Sequence, residues 1–162
     1  MTFMIPLGLA NAGAIRVGQA IGRGEPAAAS RAGWTALALG AAFMATAGVF
    51  MVAFPRPLSA LFTDDAGVIA LASRLMLLAA AFQLFDGLQG VATGALRGAG
   101  DTRTAMICTL VSYWLVGLPL GWYLCFNEGR GVDGLWVGLA LGLLVAGLAL
   151  LRAWSRTAAT LS

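Results

Sequence analysis

A single carboxylate lies inside an apolar segment that is long enough to cross a lipid bilayer. The segment runs from Leu75 to Leu96, contains Asp86, and is bracketed by Arg74 and Arg97. In one straight helix, each arginine would lie about 17 Å from Asp86 along the axis, and half of a hydrocarbon core is about 15 Å thick. The arginines can therefore reach the two membrane surfaces while Asp86 sits near mid-membrane. A charged side chain there is costly and usually faces a partner or a water cavity, so Asp86 is predicted to bind a cation or a proton.

The composition of the whole chain also favours a membrane protein. Hydrophobic residues make up 60% of the 162 residues and charged residues only 10%, whereas soluble domains carry about 25% charged residues. A chain with so few charges cannot cover its surface with polar groups, so the lipid bilayer is its expected environment. The basic residues are all arginines near the ends of apolar segments and form no basic face, so nucleic-acid binding is not expected.

Five apolar segments predict an all-α integral membrane fold with about five transmembrane helices. Most of these segments approach the ~20 residues that a spanning helix needs, and glycine, proline, asparagine and aspartate mark the turns between them. The predicted helices cover residues 2–21, 33–54, 68–96, 104–126 and 134–151, and residues 157–162 are predicted to form a cytoplasmic tail.

The distribution of the arginines predicts the orientation in the membrane. Seven arginines fall on one predicted side and three on the other, and the side richer in arginine is normally the cytoplasm. The C-terminus is therefore predicted to be cytoplasmic. An odd number of helices that begins directly in an apolar run further predicts that the front of the protein is missing from this chain. The seven are Arg16, Arg23, Arg31, Arg97, Arg103, Arg152 and Arg156, and the three are Arg56, Arg74 and Arg130.

The helix face that carries Asp86 is polar over several turns. Asp86, Gly90, Thr93 and Arg97 follow one another at spacings of four and three residues, which makes one stripe along a helix. Such a stripe favours a cavity or a bundle interior over lipid. Alternatively, the uncharged polar residues simply join neighbouring helices by hydrogen bonds. The candidate cavity-lining residues are Phe82, Gln83, Gln89 and Thr93.

Glycine, proline and tryptophan give further expectations for helix packing. Gly134, Gly138 and Gly142 recur at the four-residue spacing that lets membrane helices pack closely. Pro119 is predicted to kink its helix, either as a static kink or as a gate. Four tryptophans lie near predicted helix ends, which is typical of the aromatic belt at a membrane surface. They are Trp34, Trp122, Trp136 and Trp154.

Catalytic and resident-metal patterns are missing from the sequence. The chain has no histidine and no paired cysteines, so a zinc site is not expected. An intramembrane aspartyl protease needs two facing carboxylates, and only one acid lies within a predicted span. Glycines near residue 20 lack the Gly-Lys-Ser/Thr of a phosphate loop. Enzymatic activity is therefore not expected.

Three stretches of the chain resemble the multidrug and toxic compound extrusion (MATE) transporters. Their order and spacing are similar to those of the second lobe in the NorM-like branch, and the resemblance covers essentially the whole chain. The stretches are Ile15-Arg-Val-Gly-Gln-Ala-Ile-Gly-Arg-Gly24, Phe82-Gln-Leu-Phe-Asp-Gly-Leu-Gln-Gly90, and Gly94-Ala-Leu-Arg-Gly-Ala-Gly-Asp-Thr102 followed by Ser112-Tyr-Trp-Leu-Val-Gly-Leu-Pro-Leu-Gly121.

The resemblance implies a fold of twelve helices in two lobes around a central cavity. Residues 1–156 would supply the end of helix eight and helices nine to twelve, and their partner would be the missing N-terminal lobe. The implied activity is export of organic, often cationic drugs across the plasma (inner) membrane in exchange for Na⁺ or H⁺, with no other cofactor. Asp86 would be the coupling carboxylate and a ligand of the Na⁺ or proton. Phe82 stands where related members can have a tyrosine, so the resemblance does not decide between Na⁺ and H⁺ as the coupling ion.

Two other functions remain open from the residues alone. A related flippase for lipids or polysaccharides would need a strongly cationic cavity, and the lone charge in mid-span here is negative. A truncated membrane protein that does not transport is the other alternative, and the missing front half favours it.

Overall fold

The structure is a computed structural model that describes residues 4–161, apart from the side chains of residues 78 and 81. Every regular element in that range is helical, which confirms the predicted all-α class. In chain order the helices are α1 (Met4–Gly22), α2 (Pro26–Ala53), α3 (Pro55–Ala60), α4 (Ala66–Gly98), α5 (Thr102–Val111), α6 (Leu118–Trp122) and α7 (Gly131–Leu161), with π-helical turns at Ser112–Gly117 and Tyr123–Asn127.

Helix α4 lies at the centre of the bundle, where it contacts α1, α2 and α7. Its buried residues near the C-terminal end are apolar and mostly small, so the neighbouring helices approach closely. Membrane helices associate through this kind of packing rather than through the hydrophobic effect. The main buried core residues are Val17, Leu37, Val91, Ala92, Ala95, Leu96, Leu150 and Trp154.

Two glycines fix the C-terminal half of α4 against α1. A Cβ atom at Gly94 would overlap the backbone of Ala10, and one at Gly98 would lie 2.8 Å from the Cα atom of Ala14. Only glycine allows backbones to come this close. The half-helix that carries Asp86 is therefore held directly on α1.

A second glycine contact joins α7 to the segment from α5 to the second π-helical turn. A Cβ atom at Gly138 would overlap the backbone of Gly121, and one at Gly142 would lie 2.8 Å from the Cα atom of Gly117. Gly134 meets the backbone of Leu124 in the same way. The close packing predicted for the four-residue glycine repeat is confirmed, and its partner is the glycine pair on either side of Pro119.

Helix α4 is bent, which changes the simple picture of Asp86 at mid-helix. The segments Ala66–Leu77 and Phe82–Gly98 make an angle of 54° with each other. The bend falls in residues 78–81, which contain no proline or glycine. The distance estimate for a straight helix therefore fails on the Arg74 side of Asp86, whereas the path from Asp86 to Arg97 stays within one straight segment.

The number of membrane spans differs from the five that were predicted. Within residues 4–161, three helices are long and apolar enough to cross a membrane, and a fourth qualifies if the two segments of α4 count as one span. Helix α1 does not qualify, because its 19 residues include Asn11, Arg16 and Gln19, which lower its mean hydropathy. The three spans are Pro26–Ala53, Thr102–Asn127 and Gly131–Leu161.

Several helix ends also lie beyond their predicted positions. Helix α2 begins at Pro26 rather than at residue 33, because proline suits the first turn, where its missing N–H group is not needed. Helix α7 continues to Leu161, so the tail predicted for residues 157–162 is helical as far as the structure describes it. The predicted start at residue 2 lies outside the described residues.

Helix α7 continues beyond its predicted end at residue 151 because its last turns pack against α2. Trp154 is fully buried, and a Cβ atom at Gly33 of α2 would overlap the indole ring. The prediction that Trp154 belongs to an aromatic belt is therefore wrong. Its position near a predicted helix end was misleading, because the helix did not end there.

The chain passes Pro119 through widened turns. Proline lacks an N–H group and its ring displaces the carbonyl group four residues earlier. The π-helical turns Ser112–Gly117 and Tyr123–Asn127 lie on either side of the short helix that contains it. The helix thereby continues as one span of 26 residues, Thr102–Asn127.

Candidate functional site

Asp86 lies in a cavity between the C-terminal half of α4, the first π-helical turn and α7. The cavity has a volume of about 250 Å³, and Asp86 is its only charged residue. The other walls are aromatic or aliphatic apart from one tyrosine hydroxyl group. The lining residues are Phe82, Asp86, Tyr113, Trp136, Leu139, Ala140 and Leu143.

The packing of the neighbouring residue Gly87 orients Asp86 towards this cavity. Gly87, the next residue, is buried against Met44 of α2, where a Cβ atom would overlap the methionine side chain. Asp86 lies about 100° around the helix from Gly87, so its side chain is on the face that lines the cavity with α7 and the first π-helical turn rather than on the face against α2. Phe82 lies one turn before Asp86 on the cavity-lining face and stacks on Trp136, with 6.2 Å between ring centroids and 22° between ring planes.

The carboxylate of Asp86 has no partner within the part of the chain that the structure describes. It forms neither an ion pair nor a hydrogen bond with any residue from 4 to 161, although the side chain is half-buried. A structural salt bridge would place an arginine beside it. An unpaired carboxylate that is open to a cavity is instead available to a cation or a proton.

Tyr113 brings a second polar group to the cavity. Its hydroxyl group donates a hydrogen bond of 2.9 Å to Oε1 of Gln89. The sequence-based candidates did not include Tyr113. The signal that could have found it is a phenol in an apolar helix, six residues before Pro119, where a widened helical turn is expected.

A second cavity of about 430 Å³ adjoins the first, and Tyr113 lines both. Thr93 and Arg97 line the second cavity, which α4 shares with α5 and the first π-helical turn. Nη2 of Arg97 donates a hydrogen bond of 3.1 Å to Oδ1 of Asn11. The polar stripe predicted on α4 thus runs from the Asp86 cavity into the adjoining one.

The remaining candidates occupy different surroundings. Gln89 joins the site through Tyr113, whereas Gln83 is buried and does not line either cavity. Among the described residues, Nε2 of Gln83 has no hydrogen-bond partner. The transport roles of Phe82, Gln83, Gln89 and Thr93 stay predictions.

The described residues hold no cluster suited to a resident transition metal. No group of three or more His, Cys, Asp or Glu side chains converges within residues 4–161. The Asp86 cavity instead contains a single carboxylate, the phenol of Tyr113 and the aromatic rings of Phe82 and Trp136. That arrangement suits a hard monovalent cation, a proton or an organic cation that stacks on the rings.

A sequence model of the MatE family matches residues 1–123. Curated relatives carry the name NorM. The "Probable multidrug resistance protein NorM" of Mesorhizobium japonicum is 48% identical over 161 residues, which cover 96% of this chain and 34% of that protein. The "Multidrug resistance protein NorM" of Burkholderia vietnamiensis is 45% identical over 95% of this chain and 34% of its own length. The chain thus spans about a third of the curated relatives it matches.

Solved structures match the same fold. The crystal structure of the eukaryotic MATE transporter AtDTX14 superposes on 99% of this chain and 37% of its own, with a TM-score of 0.87 and 25% identity. An inward-facing multidrug resistance MATE family transporter matches 94% of this chain and 34% of its own, with a TM-score of 0.82. At 20% identity, this second likeness shows the fold alone.

Proposed function

The chain belongs to the MatE family, and we propose that it forms part of a multidrug efflux antiporter. In this proposal the full-length protein exports organic, often cationic compounds in exchange for Na⁺ or H⁺. The names of the curated relatives support multidrug efflux. The observation that carries the coupling role is the unpaired carboxylate of Asp86 in an otherwise apolar cavity.

The proposed coupling depends on the high cost of an isolated charge. A carboxylate in a low-dielectric setting takes up a proton or binds a cation. Drug and coupling ion then compete for Asp86, because a single negative charge neutralises one of them at a time. Opposed fluxes follow if the two conformations of the transporter differ in their affinity for the ion and the drug.

Tyr113 is proposed to assist the bound ion. Phe82 offers no oxygen ligand, and the phenol of Tyr113 supplies a hydroxyl oxygen in the same cavity. Its proton is directed at Gln89, so a lone pair of the phenol oxygen stays available to a cation. This arrangement is compatible with both Na⁺ and H⁺ coupling.

The remainder of the full-length protein is proposed to complete the central cavity. This chain would supply the end of helix eight and helices nine to twelve of a twelve-helix fold. An immunoblot against the C-terminus in the source membrane should therefore show a product about three times the 16.6 kDa of this chain. A band at the mass of this chain would instead mean a shorter protein that needs a partner or does not transport.

The C-terminus is proposed to face the cytoplasm, in a multi-pass protein of the plasma (inner) membrane. The ends of helices that carry most of the arginines lie together in the bundle. A Cβ atom at Gly18 would lie 3.3 Å from the carbonyl oxygen of Gly98, and Gly33 packs on Trp154. Clustering of arginines at one end supports this orientation under the positive-inside rule.

Transport itself is tested with a fluorescent organic cation. Cells that lack their own multidrug exporters and express the full-length product should expel ethidium against its gradient. The expulsion should stop when the inward Na⁺ or proton gradient is collapsed. Ethidium retention equal to that of empty-vector cells, despite correct membrane insertion, would contradict the proposal and favour a protein that does not export drugs.

Substitution of Tyr113 by phenylalanine tests the assisting role. Removing one hydrogen-bonding hydroxyl group should weaken ion binding by about 1 kcal/mol, which is about fivefold in the half-maximal concentration of the coupling ion. The measurement is ethidium efflux as a function of Na⁺ concentration or pH. The maximal rate should change less than twofold, since Asp86 remains.

Tyr123→Phe is the matched control, because Tyr123 is an exposed phenol in the second π-helical turn and lines neither cavity. If Tyr113→Phe and Tyr123→Phe leave the ion dependence equally unchanged, Tyr113 has no part in ion binding.

A further inference from the structure

A third cavity lies between the beginning of α5 and the end of α7, away from the Asp86 site. Its volume is about 400 Å³. Helices α5 and α7 run in opposite directions here, so the first turn of one meets the last turns of the other. The lining residues are Asp101, Thr104, Cys108, Ala149, Arg152, Ala153, Arg156 and Thr157.

Two guanidinium groups in this cavity have no acidic partner. Within residues 4–161, neither Arg152 nor Arg156 forms an ion pair. The nearby carboxylate of Asp101 is used as the cap of α5, where Oδ1 accepts a hydrogen bond of 3.0 Å from the backbone N–H of Thr104. The two arginines therefore leave the cavity with a net positive charge available to an anion.

The polar and apolar walls are arranged along the helix axis. Arg156 and Thr157 lie near the end of α7, whereas Ala149 and Cys108 lie further into the bundle. Arg156 follows Ala149 by seven positions, which is about 10 Å along a helix. The cavity thus has a charged rim and an apolar interior. A phospholipid in one leaflet has the same arrangement, with a polar headgroup at the membrane surface and apolar acyl chains below it.

We propose that this cavity binds the phosphate headgroup of an anionic phospholipid. Arg152 and Arg156 hold the phosphate, and Ala149 and Cys108 face the start of an acyl chain. Both helices belong to membrane spans, so the rim lies where phospholipid headgroups are. Basic pockets between transmembrane helices bind anionic headgroups in this way. A free phosphate ion would use the rim alone and leave the apolar interior unfilled.

The test is lipid binding by the full-length product, purified in detergent and titrated with dioleoylphosphatidylglycerol under native mass spectrometry. Each arginine near a membrane surface contributes about fivefold in affinity for an anionic lipid. The double variant Arg152→Gln/Arg156→Gln should therefore bind this lipid about 25-fold more weakly. Dioleoylphosphatidylcholine, whose choline offsets the charge of its phosphate, should bind the wild-type protein more weakly than dioleoylphosphatidylglycerol and should lose less affinity in the double variant.

Arg103→Gln is the matched control, because Arg103 is an exposed arginine at the same end of α5 that does not line the cavity. Its affinity for phosphatidylglycerol should change less than twofold. An equal loss in Arg103→Gln and in the double variant would mean that general surface charge binds the lipid, and would overturn the proposal.

Two further variants separate the lipid from a free anion and from misfolding. Ala149→Phe fills the apolar interior and should weaken phosphatidylglycerol binding while leaving the charged rim intact. If Ala149→Phe binds the lipid normally and inorganic phosphate competes at equal affinity, the cavity is a phosphate site and the lipid assignment is wrong.

Arg152→Lys/Arg156→Lys keeps both charges and should retain most of the binding, even if the glutamine variant fails to fold. Lipid binding is measured without transport, so its failure is distinct from failure of efflux.

Discussion

Replacement of Asp86 by asparagine in the full-length product is expected to reduce ion-driven efflux to less than about a tenth of the wild-type rate. Asparagine keeps the size of the side chain but neither neutralises a cation nor takes up a proton. An interaction with a charged group contributes about 1.5–3 kcal/mol, which corresponds to about 10- to 150-fold in binding. The measurement is ethidium efflux from cells with an imposed Na⁺ or proton gradient, normalised to the amount of transporter in the membrane.

Two companion variants show whether the loss comes from the charge at that position. Asp64→Asn removes an exposed acid in the connection before α4 and should leave efflux unchanged. Asp86→Glu keeps the charge and should retain more activity than Asp86→Asn. Efflux by Asp86→Asn that equals the wild-type rate and keeps its dependence on the gradient would remove Asp86 from the coupling mechanism.

Replacement of Gly138 by valine should destabilise the protein more than any substitution at the Asp86 cavity. A Cβ atom at this position would overlap the backbone of Gly121 and lie 2.8 Å from the carbonyl oxygen of Gly117. Backbone atoms cannot move aside as a flexible side chain can, so α7 must separate from its neighbour. Overpacking of a core costs about 1–3 kcal/mol, and this variant should reach the upper end. The expected results are a thermal unfolding temperature several degrees lower in detergent and less protein in the membrane fraction.

Gly8→Val provides the control for the glycine substitution. Apart from its chain neighbours and the nearby backbone of its own helix, no described atom lies within 4 Å of a Cβ atom built on Gly8, which is also a helical glycine. The two variants share the loss of glycine and the gain of a β-branched side chain, and they differ in what that side chain meets. Equal unfolding temperatures for Gly138→Val and Gly8→Val would show that the contact between α7 and Gly121 is looser than the structure indicates.

The parts of the fold that were predictable depend on local patterns. Long apolar segments specify membrane helices because the bilayer sets their length. The four-residue repeat of Gly134, Gly138 and Gly142 specifies a close contact because it places one small residue on each turn of a single face. Asp86 was identifiable as a candidate because a carboxylate within a membrane span is energetically costly and is usually found only where it has a function.

The parts that were not predictable depend on contacts between distant segments. The end of α7 was misplaced because Trp154 is stabilised by Gly33, which lies more than a hundred residues earlier. The bend in α4 falls in residues 78–81, which contain no proline or glycine that could have predicted it from the sequence. Tyr113 reaches the Asp86 cavity because α4 and α7 meet its side chain in the folded bundle, and the pattern within one helix does not show which distant helices face it.

If the full-length protein is the antiporter proposed above, the glycine contact between α7 and the segment Thr102–Asn127 limits how its conformation can alternate. Backbones in direct contact leave no side-chain layer that could slide or repack, so these two spans should move as one rigid body. Along this glycine contact, from Gly117 and Gly142 to Leu124 and Gly134, the gap is also too narrow for a lipid chain to enter, whereas the cavity lined by Cys108 and Ala149 lies beyond the contact. The proposed opening and closing around Asp86 would then occur along a different boundary. The two adjoining cavities that meet at Tyr113 lie on such a boundary, between this rigid pair and α4.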